Sequence, residues 1–168
     1  MTEEMYLKYC DDYHLDVSLA EFNRICRELG YNDGSSLGTE TTTEHNYMAF
    51  FDTNDVVKND KYSYIATIGV NTLLTPKGVG IPHGYIEFLC DDDNNRLEYV
   101  DVRIVRVPRD KKDLSGPTEV AKENISLLKT PLTYDKLKKW IDKTVKKLLK
   151  QCKKEKFEQQ FTEDFYSN

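Results

Sequence analysis

The rhythm of apolar and polar positions changes along the chain, and each rhythm predicts a different kind of element. Glu3 to Asp12 reads as a short helix with Met5, Tyr6 and Tyr9 on one side. A second helix is better marked. Ser18-Leu19-Ala20-Glu21 is a capping box, in which hydroxyl and carboxylate satisfy each other's orphan amides. Leu19, Phe22, Ile25, Cys26 and Leu29 then recur at helical spacing. Gly30 and the cluster Asn32-Asp33-Gly34-Ser35-Ser36 end it.

The middle of the chain turns to β. Asn46–Asp52, Tyr62–Val70, Tyr85–Cys90 and Leu97–Val107 are rich in Tyr, Phe, Val and Ile and are bounded by polar turns. Asp91 to Arg96 makes a hairpin-like connection between the last two. Val100, Val102 and Ile104 share one face of the last run, and Asp101 and Arg103 share the other. Pro108 stops the sheet. Glu119–Leu128 fits either a short helix or an extended edge.

From Thr133 the period is helical again. Leu137, Ile141, Val145, Leu148 and Cys152 fall within an arc of roughly 80°, and the opposite side carries lysines. Phe157, Phe161 and Phe165 recur every fourth residue. In one unbroken helix their phase puts them on the lysine side. Either the helix bends or stops near Cys152–Lys156, or that stripe faces something else.

These elements predict an α+β fold. It has two N-terminal helices, a four-stranded antiparallel meander sheet and a long C-terminal amphipathic helix. Residues 1–156 form a single α+β domain, and residues 157–168 form a C-terminal aromatic segment suited to an interaction tail.

Composition adds a context. Eleven Tyr and seven Phe stand against four Ala, and Lys, Asn and Asp are abundant, a usage that suggests an AT-rich coding sequence in a low-GC bacterium or its phages. The first residues are acidic and lack an apolar stretch, so no secretory signal is expected. No apolar run approaches the ~20 residues of a membrane span. The scattered Cys10, Cys26, Cys90 and Cys152 read as free thiols of a cytoplasmic protein.

Charge is polarised within a net of −5. Residues 1–60 carry thirteen acids against four bases, whereas residues 135–156 carry ten lysines against three acids. Opposed ends of this kind steer charged partners.

The chemistry of catalysis finds little footing. His14, His45 and His83 have no ligand spacing. Asp91-x-Asp93-x-Asn95 opens like a calcium loop, but Arg96 replaces the turn glycine and Val102 the bidentate glutamate. Gly78-Val79-Gly80-Ile81-Pro82-His83-Gly84 matches no phosphate-loop pattern. The pairs Asp11-Asp12 and Asp91–Asp93 sit in segments that read as exposed and wet, which is a poor setting for a general acid. No catalytic residue, metal or cofactor is expected.

The expected function is therefore non-enzymatic binding and inhibition of another protein. Its concrete form is a phage or mobile-element anti-defence (anti-CRISPR-type) or host-takeover protein. The expected partner is a basic nucleic-acid-binding enzyme, met by Asp11, Asp12 and Asp16 and by the aromatic anchor Phe157, Phe161 and Phe165. Two alternatives stay open. One is a toxin-neutralising immunity protein. The other is an accessory protein holding nucleic acid along Lys139, Lys143, Lys146, Lys150 and Lys153. The Phe stripe also suits a homodimer contact, and no membrane partner is expected.

Overall fold

The computed structural model describes residues 3–36, 46–52, 56–72 and 95–166. Helices α1 (Glu3–Asp12) and α2 (Leu19–Glu28) come first. Strands β1 (Asn32–Ser36), β2 (Asn46–Asp52), β3 (Tyr62–Thr72), β4 (Leu97–Pro108) and β5 (Thr118–Ser126) follow, and α3 (Tyr134–Tyr166) ends the chain. The class is α+β, and among the described residues the strands form one antiparallel sheet in the order β1-β2-β3-β4-β5.

The sheet departs from the expected four strands. Three of those are present as β2, β3 and β4, while the expected strand Tyr85–Cys90 lies outside the described residues. One further strand was not expected, and another realises one of the two alternatives open for its segment. The polar cluster Asn32–Ser36, whose residues predict a helix stop, pairs with β2 through an irregular register. Backbone hydrogen bonds suffice for an edge strand, so its side chains carry no β signal. The ambiguous segment before α3 is also extended, and β5 pairs along β4 with a bulge at Val120.

One face of the sheet is apolar because side chains alternate along each strand. Ala66, Ile68 and Val70 of β3 and Val100, Val102 and Ile104 of β4 are all buried. Helix α3 packs on β4 and β5, while α2 packs on β1 and touches α3. The expected seam of α3 is buried throughout: Leu137, Ile141, Val145, Leu148 and Cys152, with Thr144 and Leu149 beside them. Full burial of such side chains contributes about 1.5–3 kcal/mol each before entropy is counted.

The other face of the sheet is less open than alternation implies. Asp101 is only 9% exposed, and its Oδ2 accepts from Arg103 Nε at 2.6 Å. Arg103 also reaches Glu119 at 3.3 Å. At the β5 edge, Glu123 shares its register with Val102 on the apolar side and is met by Lys147 of α3 at 2.8 Å. A charge on the inward side of an edge strand discourages further strand pairing.

Helix α3 does not stop near Cys152–Lys156; it is one element through Tyr166. The side chains beyond Lys154 lie outside the described residues.

Candidate partner-binding surfaces

The C-terminal end of α1 gathers exposed acid. Asp11 and Asp12 occupy its last turn, which holds no basic residue. Helix C-termini carry partial negative charge, so acids there are unfavourable. Asp16 follows four residues on, and all three are exposed. None of them enters an ion pair among the described residues.

The backbone beneath these acids is fixed. The His14 N–H donates to Asp11 O at 3.0 Å and the Leu15 N–H to Cys10 O at 2.9 Å. This closure places His14 in the left-handed region, at φ 58°. Cys10 and Leu15, joined by that backbone bond, are buried. The next residues are tied to the start of β4. The Leu97 N–H donates to Val17 O and the Leu19 N–H to Asn95 O, both at 2.8 Å. Arg96 Nη1 donates to Asp16 O at 2.8 Å, and the Arg96 backbone N–H donates to the Tyr6 hydroxyl at 2.9 Å. The acids thus project from a rigid base.

Aromatic surface adjoins them. Tyr9 and Tyr13 meet edge to face with centroids 4.7 Å apart, and Tyr13 is 41% exposed. Their shared hydrogen bond, followed by loss of water, pushes the Tyr9 hydroxyl up to about 12. Met5, expected on one side of α1 with Tyr6 and Tyr9, is 59% exposed. Only Tyr6 of that trio is fully buried, because i and i+1 lie about 100° apart on a helix. Tyr13 was not among the expected site residues; its signal in the sequence is the Met5, Tyr9, Tyr13 spacing of four.

A polar latch joins α2 to α3. The Tyr134 hydroxyl donates to Glu28 Oε1 at 2.8 Å and accepts from Arg24 Nε at 3.1 Å. Lys138 binds the other Glu28 oxygen. The Lys138 and Tyr134 hydrogen bonds, in that order, hold the Glu28 carboxyl below its ordinary range. Its residues lie 106 to 110 positions apart in sequence, so no local pattern could reveal it.

The outer face of α3 presents Lys139, Lys143, Lys146, Lys150 and Lys153, all exposed. Lys146 pairs with Asp142 at 2.9 Å. The other four make no ion pair among the described residues. Phe157, Phe161 and Phe165 belong to the same helix, and their side chains lie outside the described residues.

Two of the three histidines, His45 and His83, lie outside the described residues, as do Gly78–Gly84, Cys90 and 91–94. Among the described residues no group of three or more His, Cys, Asp or Glu could hold a metal. Cys10, Cys26 and Cys152 are buried and outside any disulfide. Asn95 and Thr72, at the two ends of the segment joining β3 to β4, are buried with Oδ1, Nδ2 and Oγ1 unbonded. Among the described residues no helix is long and apolar enough to cross a membrane. No protein-family model, curated protein or solved structure matches the chain.

Proposed function

We propose that the protein works by binding another protein, with the acidic end of α1 as the principal docking surface. The observation that carries this is the placement of Asp11 and Asp12. They crowd a helix terminus whose own field repels them, on a closed backbone turn that residues 16–19 tie to the start of β4. Charges that oppose the local fold point to a task outside it. The adjoining Tyr9–Tyr13 pair adds aromatic surface, which suits an arginine or lysine carried by the partner.

The partner is then a protein with a basic surface, such as a nucleic-acid-binding enzyme. With the AT-rich composition, the concrete form is a phage or mobile-element inhibitor of a bacterial defence or host enzyme, of the anti-CRISPR type. A toxin-neutralising immunity protein would use the same surface chemistry. The helical positions of Phe157, Phe161 and Phe165 supply a second, apolar anchor in this proposal.

Capture from the native host tests it. Wild-type protein should retain a basic partner that the variant Asp11→Lys/Asp12→Lys/Asp16→Lys loses. With that partner purified, charge reversal should slow association more than it speeds dissociation, and less so at high salt. Equal association rates at low salt would remove the acidic surface from the interface.

A further inference from the structure

The exposed side of α3 carries a feature that protein docking at α1 does not explain. Lys139, Lys143, Lys146, Lys150 and Lys153 are spaced 4, 3, 4 and 3 residues apart, so they form a nearly straight row about 21 Å long. The opposite seam, Leu137 to Cys152, is locked into the core, so the row cannot turn inward.

Three ordinary reasons for such a row fail. Exposed helix faces usually gain from alternating charge at i, i+4, yet here Lys139–Lys143 and Lys146–Lys150 are like-charged at that spacing, which is unfavourable. Lysines are favoured in the last turn of a helix, where they meet the negative end of the dipole. But α3 continues to Tyr166, so the row lies in mid-helix and gains nothing from that field. The row is not consumed by internal pairing either: only Lys146 has an acidic partner, Asp142, among the described residues.

We propose that this row is a sequence-independent binding surface for the phosphodiester backbone of a nucleic acid. Compact ammonium groups on a rigid rod suit phosphates as point charges. Neutralising successive phosphates would relieve the lysine–lysine repulsion and release counterions from the nucleic acid. A membrane surface fits less well, because interfacial helices bury an apolar side and that side of α3 is already on the sheet. The surface is independent of the acidic end of α1 and stands or falls without it.

Salt dependence gives the test. Fluorescence anisotropy should be measured on a labelled random-sequence 20-base-pair duplex and on a 20-nucleotide single strand, between 50 and 200 mM NaCl. Five phosphate contacts predict a log–log slope of about −4.5 on the duplex and about −3.5 on the single strand. That slope weakens duplex binding about 500-fold over this salt range, against about 12-fold for Lys143→Gln/Lys146→Gln/Lys150→Gln. The triple variant should keep its thermal midpoint. Lys111→Gln/Lys112→Gln, on exposed residues outside the row, should leave the slope unchanged. Asp142→Asn, which frees Lys146, should bind more tightly than wild type.

Several results would overturn the proposal. One is no binding of either nucleic acid by 20 μM protein at 50 mM salt. Another is a slope unaltered in a folded triple variant. A third is retention on vesicles of 30% phosphatidylserine without retention of nucleic acid, which would make the row a membrane contact. The last is self-association lost in the triple variant without nucleic-acid binding, which would make it a contact between copies.

Discussion

His14 closes α1 with the same backbone turn by which Gly30 closes α2. The two residues have φ values of 58° and 86°. Each donates its N–H three residues back, to Asp11 O and Arg27 O, while the residue after it reaches a buried cysteine carbonyl, Cys10 or Cys26. Glycine takes this conformation without steric cost; a side chain does not.

The pair predicts opposite responses. Gly30→Ala should lose about 1 kcal/mol through backbone strain alone, because a methyl group there would meet nothing within 4 Å. His14→Gly should hold or gain a few tenths of a kcal/mol, whereas His14→Val should lose roughly 1–2 kcal/mol. Urea unfolding of the three variants checks this. A His14→Gly protein clearly weaker than wild type would show that the imidazole itself holds the turn.

The two sides of α3 should answer mutation differently. Leu148→Ala should cost about 2–5 kcal/mol, since Leu148 is buried in the seam. Lys150→Ala should change stability by less than about 0.5 kcal/mol. A larger loss at Lys150, read by chemical denaturation, would contradict the observed packing.

Relieving the acid at the end of α1 should separate stability from binding. Asp11→Asn/Asp12→Asn should stabilise the fold by about 0.3–1 kcal/mol at low ionic strength, with the gain shrinking in salt. The same variant should bind the captured partner less well. Stability and affinity falling together would mean that the aspartates serve the fold.

The α2–α3 latch should be sensitive to acid. Hydrogen bonds hold the Glu28 carboxyl below its ordinary value near 4.5. A carboxylate depressed in the folded state adds stability that is present above the unfolded value and is lost as pH falls through the folded one. Between pH 6 and pH 3, wild type should therefore lose stability more steeply than Glu28→Gln. Parallel curves would show that the latch contributes nothing to acid sensitivity.

Removing residues 157–168 tests the aromatic anchor. The last described buried side chain of α3 is Cys152, so the shortened chain should fold with little change in thermal midpoint. Partner binding should weaken. A collapse of the midpoint would place the segment in the core; unchanged binding would remove it from the interface.

Local pattern made much of this architecture legible. The capping box Ser18–Glu21 is present with both of its hydrogen bonds, and α1 spans the expected Glu3–Asp12. The buried side of α3 follows from a period of 3.6 residues. What pattern could not reveal depends on chain folded against chain. Asn32–Ser36 becomes a strand because β2 offers a backbone edge, not because its own residues favour extension. Asp101 is nearly buried although its neighbours alternate as an open face would. The latch brings together Arg24, Glu28, Tyr134 and Lys138, which share no motif. The acidic and lysine surfaces were legible as residues, while the conflict of each with its own helix needed the helix ends.

The order of elements also sets when the core can be sealed. The sheet is built from neighbours in sequence, so its described strands can pair as soon as they are made. The inner faces of β4 and β5 are covered by α3, whose seam is not complete until Cys152. At ribosomal speeds of about 5–20 residues per second, roughly one to five seconds separate Ser126 from Cys152. During that interval Val100, Val102 and Ile104 have no roof. A nascent chain in this condition is a natural client for a chaperone, and slowing translation between β5 and the end of the seam would lengthen its exposure.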